Sequence, residues 1–202
     1  MFIAHMPAGF LLARYVLRKE QDHPAYISLF LIGLIASIAP DFDLAYFYLI
    51  DNRQHPHHSY WTHIPVYWMG IYFVLLYPIY KYFNCLGVKV LSLVLFCGLL
   101  HMSLDSFASG IRWLYPLTTE YFGLWRITSV YNWWVANYLF HWTFLIELII
   151  TSTAAIVAWQ DKALQLRFKY QCLIWLYRIR PSSKLMDKMI QTAEIIQPQQ
   201  AN

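Results

Sequence analysis

Residues 90–105 read VLSLVLFCGLLHMSLD, and this stretch decides the class of fold. Residues 90–104 contain no Asp, Glu, Lys or Arg, which is typical of a helix in lipid rather than one that faces water. His101 and Asp105 nevertheless stand near its end, four residues apart, so both side chains share one face of a helix. An ionisable group at membrane depth costs at least about 2.5 kcal/mol and usually marks a function. The stretch therefore predicts a membrane helix that carries part of a functional site.

Three further uncharged stretches cover residues 25–40, 64–80 and 127–146, and the last resumes after Glu147 as far as residue 160. The whole chain is 59% hydrophobic and 13% charged, whereas a soluble domain has about 25% charged residues. So few charges cannot cover a water-facing surface, which argues against a soluble globular protein. We predict an all-α, polytopic membrane protein with about four membrane helices plus a short N-terminal helix, and with the polar site inside the helical bundle.

The basic residues are unevenly placed. When the chain is folded back and forth through the uncharged stretches, twelve of the 15 Lys and Arg residues fall on one side. They are Arg14, Arg18, Lys19, Lys81, Lys89 and the seven basic residues between Lys162 and Lys188. Because cytoplasmic loops carry the excess of Lys and Arg, we expect a cytoplasmic C-terminus. Loops 51–63 and 105–126 then lie on the opposite face of a bacterial inner membrane.

The chain divides into a membrane-embedded domain, 1–160, and a basic amphipathic cytoplasmic tail, 161–202. Leu164, Phe168 and Trp175 give that tail an apolar side, which favours contact with the lipid bilayer and its anionic headgroups over nucleic acid. Residues 1–20 have no basic residue before their apolar run, so a cleaved signal peptide is not expected and His5 is retained. The three cysteines lack CxxC spacing and do not predict a thiolate zinc site.

A second polar segment, Pro40-Asp41-Phe42-Asp43, follows the stretch 25–40. Pro40 ends a helix there and leaves two carboxylates at one level, which a membrane tolerates where they hold something polar. Counting about 1.5 Å per residue from the predicted cytoplasmic ends places several ionisable side chains in the outer half of the bilayer or just beyond it. They are His5, Asp41, His101 and His141, and the candidates beside them are His58, His63 and Asp105.

Imidazole and carboxylate groups without thiolates predict a metal site, with zinc as the default divalent metal and manganese or iron as alternatives. Four or more histidines and at least two aspartates exceed the ligands of one tetrahedral ion, so two ions bridged by an aspartate fit the count better. Each motif also has a simpler explanation. The His101–Asp105 pair could be a hydrogen bond on a helix surface, and the segment 40–43 could be a loop cap.

Five short motifs follow one another in a fixed order. They are His5-xxx-Gly9, Pro40-Asp41-Phe42-Asp43, His58-Ser-Tyr-Trp-Thr-His63, His101-xxx-Asp105-xxxx-Gly110 and Leu114-Tyr-Pro-Leu117. From residue 5 to about residue 124, this series resembles the YdjM-type membrane-bound metal-dependent hydrolases. That family is similar in turn to zinc-dependent phospholipase C and single-strand nucleases, which are helical phosphodiesterases with clustered zinc ions. The resemblance implies that the ligands are His5, Asp41, His63, His101 and Asp105, with Asp43 and His58 as ligands or as partners of ligands.

Residues 58–63 read HSYWTH and lack the arginine that the family carries before its Thr-His. That arginine could bind an anionic substrate. Arg112 or Arg126 could replace it, although either could equally be a surface anchor.

His141 is the last metal-ligand candidate along the chain. It is not followed by an acid four residues later, and Glu147 falls about 120° away around the helix, so a third zinc is not predicted. His141 is open as a ligand or as a buried histidine packed among tryptophans. His57 is treated as a loop residue that could exchange roles with His58.

The expected function is that of a membrane-embedded hydrolase. Two divalent ions would activate a water molecule for attack on a phosphorus or carbonyl centre, with Asp43 as the candidate general base. A site in the outer leaflet favours a lipid or lipid-linked phosphate as substrate. The alternative is a transporter of metal ions or protons, or a scaffold without hydrolytic activity. The scarcity of ionisable groups in the cytoplasmic half argues against the transporter. The sequence leaves the oligomeric state open.

Overall fold

A computed structural model describes residues 3–125 and 127–196, and in this part of the chain it contains eight helices and three short 3-10 turns. The helices are α1 (His5–Val16), α2 (Tyr26–Ile38), α3 (Asp43–Leu49), α4 (Pro65–Asp105), α5 (Trp134–Leu139), α6 (Thr143–Gln160), α7 (Lys162–Ile179) and α8 (Ser183–Ile196). The turns are Ala39–Phe42, His57–Ser59 and Trp61–His63. An isolated antiparallel bridge joins Ile111 to Phe122 in the long loop after α4. The predicted all-α class is confirmed.

Three segments are long and apolar enough to cross a membrane, and the second of them is a helical hairpin. The segments are Tyr26–Leu49, Pro65–Asp105 and Thr143–Gln160. The backbone of α4 leaves the helical conformation at Asn84 (φ 55°, ψ −155°). The Tyr72 and Ser92 hydroxyls lie 3.1 Å apart, although twenty residues of straight helix would separate them by about 30 Å. Helix α4 is therefore a hairpin of two arms, each of about 20 residues, the length that a span needs.

The core forms where α1 and α2 cross against the second arm of α4. Ala13, Leu17, Phe30 and Leu93 are buried in it. Helices α1 and α2 approach so closely that a Cβ added at Gly9 would lie 2.3 Å from the Ser37 side chain. Small residues allow this kind of close crossing between membrane helices.

Three ion pairs gather at the end of the bundle that is remote from His5. Their partners are Arg14 and Asp161 (2.7 Å), Arg167 and Asp22 (3.0 Å), and Lys89 and Glu20. They bring together residues from α1, the α1–α2 loop, the second arm of α4 and α7. The structure thus places Arg14 and Lys89 at the same end of the bundle.

Helix α7 packs on the bundle. The Phe168 ring meets the Phe30 ring edge-on at 6.0 Å, and Leu164 lies in the core. The segment predicted as a cytoplasmic tail therefore begins with a helix that shares the core of the membrane domain. Residues 197–202 of that predicted tail lie outside the described residues.

Candidate metal centre

The chain carries eight candidate side chains to one end of the bundle, because several helices begin or end there. Pro40 has no backbone N–H, so α2 gives way to a tight turn before α3 begins. His5 is the first residue of α1, and Asp43 is the first residue of α3. Three of the side chains come from two 3-10 turns before α4: Asp41 from Ala39–Phe42 and the adjacent His57 and His58 from His57–Ser59. His63 ends the turn Trp61–His63, and His101 and Asp105 lie in the last two turns of α4.

Asp105 is the first of two carboxylates on which imidazoles converge. Its Oδ1 lies 3.2 Å from Nε2 of His5. Its Oδ2 lies 3.2 Å from Nε2 of His101, 3.5 Å from Nε2 of His58 and 3.8 Å from Nε2 of His63. The Asp105 side chain is 2% exposed, so its charge must be balanced by protein groups or by a cation.

Asp41 is the second carboxylate. Its Oδ1 lies 3.2 Å from Nε2 of His57, 3.5 Å from Nε2 of His101 and 3.6 Å from Nε2 of His63. Its side chain is 30% exposed. His63 and His101 therefore face both carboxylates, and Asp41 is the carboxylate that solvent can reach.

Two imidazoles are fixed through Nδ1 by groups that only accept hydrogen bonds. The Nδ1–H of His101 donates to the Ser37 carbonyl (2.8 Å), and that of His63 donates to the Asp43 carboxylate (2.9 Å). The Thr62 hydroxyl donates to the same Asp43 oxygen. A neutral imidazole with its proton on Nδ1 presents a lone pair at Nε2. Both lone pairs then point at carboxylate oxygens, a repulsive arrangement unless a proton or a metal ion lies between them.

The two imidazoles of the turn His57–Ser59 also have Nδ1 next to a polar oxygen. Nδ1 of His57 lies 3.0 Å from Asp43 Oδ1, and Nδ1 of His58 lies 3.1 Å from the Ser109 hydroxyl. Metal-binding histidines are typically held in this way through the nitrogen that does not bind the metal. Three imidazoles, those of His58, His63 and His101, are thus hydrogen-bonded at Nδ1, and His57 has its Nδ1 beside Asp43.

The distances at the centre fit metal coordination better than direct hydrogen bonding. A tetrahedral ion with ligands at about 2.0–2.1 Å separates those ligands by about 3.3–3.4 Å. Most of the nitrogen–oxygen separations given above are near that value. Within the described chain, the buried Nε2 atoms of His63 and His101 have no hydrogen-bond partner. The residues present therefore fit a divalent metal held by nitrogen and carboxylate oxygen.

Three groups of ligand atoms could each hold an ion, because the atoms in each group lie within 4.8 Å of one another. The groups are His5, His101 and Asp105; Asp41, His63 and His101; and His57, His58 and His63. His63 and His101 each belong to two groups. Neighbouring ions that share ligands are therefore compatible with the arrangement.

The two histidines of the loop differ in their proton affinity. Burial lowers the pKa of His58 to about 4, so its imidazole is neutral near pH 7 and can offer a lone pair. Burial would also lower the pKa of His57, but its contacts with Asp41 and Asp43 outweigh burial and raise that pKa to about 9. A metal ion at Nε2 of His57 would compete with this proton.

A sequence model of the YdjM inner membrane protein family matches residues 1–180, a range that contains every residue of the candidate centre. The chain belongs to this family. Together with the apolar helices, the family description identifies an inner membrane protein. Comparisons with curated proteins and with solved structures gave no significant match.

Three candidates in this YdjM family member lie outside the three groups: Asp43, His141 and Glu147. Nδ1 of His141 lies 2.9 Å from the Thr143 hydroxyl, and its ring packs 5.9 Å from that of Trp142. Glu147 is fully buried on α6, where its carboxylate accepts hydrogen bonds from the backbone amides of Ile3 (2.6 Å) and Ala4 (3.2 Å). Glu147 thus fixes the start of α1 and, with it, His5.

His57 is the site residue that sequence reasoning undervalued. The sequence predicts it as a loop residue that could exchange roles with His58, and the structure brings both histidines to the centre. The signal was the pair of adjacent histidines, because one tight turn can direct both side chains to one side. Arg112 stacks over the Tyr121 ring at 4.6 Å, and Arg126 lies outside the described residues.

Proposed function

We propose that this YdjM family member is a metal-dependent hydrolase of phosphoester bonds, embedded in the membrane and using two divalent ions, with zinc as the first candidate. The observation that supports it most strongly is the convergence of imidazole Nε2 atoms on Asp41 and Asp105, with three of the rings hydrogen-bonded at Nδ1. Divalent ions at such a centre supply Lewis acidity and an activated water. The chain offers them nitrogen and oxygen ligands from separate helices.

The carboxylates have different tasks in this proposal. Asp105 is buried and balances the positive charge of the centre, while Asp41 is the ligand that borders solvent. Hydrolysis forms one P–O bond from water and breaks the bond to the leaving group, and a carboxylate must accept the proton that water loses. Asp43 could accept it, as the sequence suggested. Its contacts with His57 and His63 favour a second role, in which it orients two imidazoles.

The shape of the bundle supports hydrolysis over transport. Buried apolar residues, among them Phe30, Leu93 and Cys97, lie between the candidate centre and the end that carries the ion pairs. A transporter would need polar access from both faces. The centre is open at one end through Asp41 and sealed by this core towards the other.

The orientation and the substrate class belong to the same proposal. The basic bias of the sequence puts the C-terminus in the cytoplasm, which places the centre at the outer side of a bacterial inner membrane. A centre at that depth is suited to a lipid or a lipid-linked phosphate as substrate. Nucleic acid is not an expected partner.

The test combines metal analysis with hydrolysis assays of detergent-purified protein. His101→Ala and Asp105→Ala should each lose bound metal and lower the hydrolysis of bis(p-nitrophenyl) phosphate to background. His23→Ala is the matched control, because His23 lies in the α1–α2 loop and only accepts a hydrogen bond from the Ala25 amide. Equal metal content in all three variants would reduce the His101–Asp105 pair to a structural hydrogen bond and overturn the proposal.

A further inference from the structure

A cleft of about 650 Å³ opens beside the candidate metal centre. Four of the side chains that line it belong to that centre: Asp41, His57, His58 and Asp105. A volume of this size is typical of sites for small organic ligands. A molecule in the cleft would therefore lie directly against the groups that perform the proposed reaction.

The rest of the lining is mainly apolar and carries one positive charge. Leu44, Phe47 and Ile127 supply the apolar surface. Among the described residues that line the cleft, Arg53 is the one Lys or Arg. A positive charge next to an apolar wall matches a ligand with an anionic end and a hydrocarbon chain.

Arg53 is held in place by its own loop. Asn52 and Arg53 both have positive φ (50° and 62°), a backbone conformation that residues other than Gly rarely adopt. The Arg53 amide donates to the Phe47 carbonyl (3.1 Å), and the Arg53 guanidinium stacks over the Tyr48 ring at 4.9 Å. The contact with Tyr48, which also lines the cleft, holds the guanidinium beside it.

Tyr138 offers a second donor in the lining of the cleft. The Tyr138 hydroxyl is buried and has no hydrogen-bond partner within the described chain, and Tyr138 lines the cleft. A buried hydroxyl without a partner is unfavourable, so a ligand that accepts a hydrogen bond there would relieve the cost. The guanidinium and this hydroxyl are the donors that a phosphate group requires.

The rim beside Arg53 is apolar and exposed. Leu49 and Ile50, at the end of α3, are 79% and 64% exposed. Side chains of this kind belong in the bilayer and not in water. Apolar surface suited to lipid therefore lies next to the loop that carries Arg53.

From these observations we infer that the cleft binds a phospholipid of the bilayer, with its phosphate on Arg53 and Tyr138 and its chain along Leu44 and Phe47. The claim that this phospholipid is the substrate rests on the proposed function. The claim that the cleft binds it can be tested without any hydrolysis. Arg53 is the residue that binds the phosphate of this lipid.

The binding test is a calorimetric titration of the purified protein in a non-ionic detergent with hexadecylphosphonate, an anionic amphiphile that is not hydrolysed. Arg53→Gln should weaken its binding at least about tenfold, the loss expected for a hydrogen bond to a charged group. Methylphosphonate, which lacks the chain, and hexadecanol, which lacks the charge, should both bind at least about tenfold more weakly than hexadecylphosphonate.

Arg18→Gln is the matched control. Arg18 also stacks on a nearby tyrosine, with its guanidinium 4.4 Å from the centre of the Tyr15 ring, but it follows α1 at the far end of the bundle. Its substitution should leave binding unchanged, and circular dichroism and metal content should be the same for both variants. Equal affinity of Arg53→Gln and wild-type protein would overturn the inference. So would a loss caused by Arg112→Gln instead of Arg53→Gln.

Hydrolysis assays separate this inference from the proposed function. With phosphatidylglycerol vesicles, Arg53→Gln should raise KM at least about tenfold and leave kcat within about twofold, while bis(p-nitrophenyl) phosphate serves as the soluble ester. If only the soluble ester is hydrolysed and hexadecylphosphonate does not bind, the lipid cleft is wrong and the hydrolase stands. If neither substrate is hydrolysed but the phosphonate binds through Arg53, the hydrolase is wrong and the lipid cleft stands.

Discussion

Asp43 faces two imidazoles at once, with Oδ1 3.0 Å from Nδ1 of His57 and Oδ2 2.9 Å from Nδ1 of His63. In Asp43→Asn, the amide keeps one acceptor and turns its NH₂ group towards the other ring. Loss of such an orienting partner typically lowers metal affinity about 10- to 100-fold. We expect this loss for Asp43→Asn in a zinc titration against a chelator, whereas Asp41→Asn should fail to retain zinc through purification.

The same titration distinguishes the two roles of Asp43. Unchanged zinc affinity together with a rate about 10²- to 10⁴-fold lower would assign the general base to Asp43. Full turnover with unchanged zinc affinity would remove it from both roles.

The residues that the sequence located well are those with a rigid local frame. His101 and Asp105 were expected together because a helix fixes residues four apart on one face, and the structure places their Nε2 and Oδ2 atoms 3.2 Å apart. His141 shows the opposite case. Its depth was counted along a continuous helix, but α5 ends at Leu139 and α6 begins at Thr143, so the count did not follow the path of the chain.

At the scale of helices, the crossing of α1 and α2 at Gly9 connects packing to the metal centre. Helix α1 begins with His5, and the Ser37 carbonyl of α2 orients His101. Gly9→Ala would place a methyl group 2.3 Å from the Ser37 side chain and push the helices apart. We expect a destabilisation of about 1–3 kcal/mol together with weaker zinc binding, measured by thermal unfolding and titration in detergent.

Gly70→Ala is the control for this prediction. Gly70 lies in the first arm of α4, and a Cβ there would meet no atom within 4 Å. In a helix interior that substitution should be neutral or slightly stabilising. Equal behaviour of the two alanine variants would mean that the crossing is not as tight as it appears.

The uncharged stretches predicted the apolar helices, but not how they are joined. Stretches 64–80 and 90–104 lie in the two arms of α4. The reversal occurs at Asn84, while Pro78 lies inside the first arm and Gly87 inside the second. Contacts between the arms, such as that between Tyr72 and Ser92, determine the turn. Such contacts join residues far apart in sequence, so local propensity does not reveal them.

For the molecule as a whole, sidedness is the prediction to test. With Cys85, Cys97 and Cys172 replaced, Arg53→Cys should react with an impermeant maleimide in intact cells. Lys184→Cys should react only after the membrane is permeabilised, because the basic residues predict a cytoplasmic C-terminus. The reverse pattern would place the metal centre on the cytoplasmic face.

Helix α1 is fastened at both ends to residues that follow it by more than 140 positions. The backbone amides just before its start donate hydrogen bonds to Glu147, and Arg14 near its end pairs with Asp161. During synthesis these contacts of α1 form late, because Glu147 and Asp161 leave the ribosome only after the α4 hairpin has been made. The carboxylate that fixes the start of α1, just before His5, is therefore present only after α6 has been made. The candidate centre is thus completed late, and a metal ion would bind to a chain whose apolar helices have already been made.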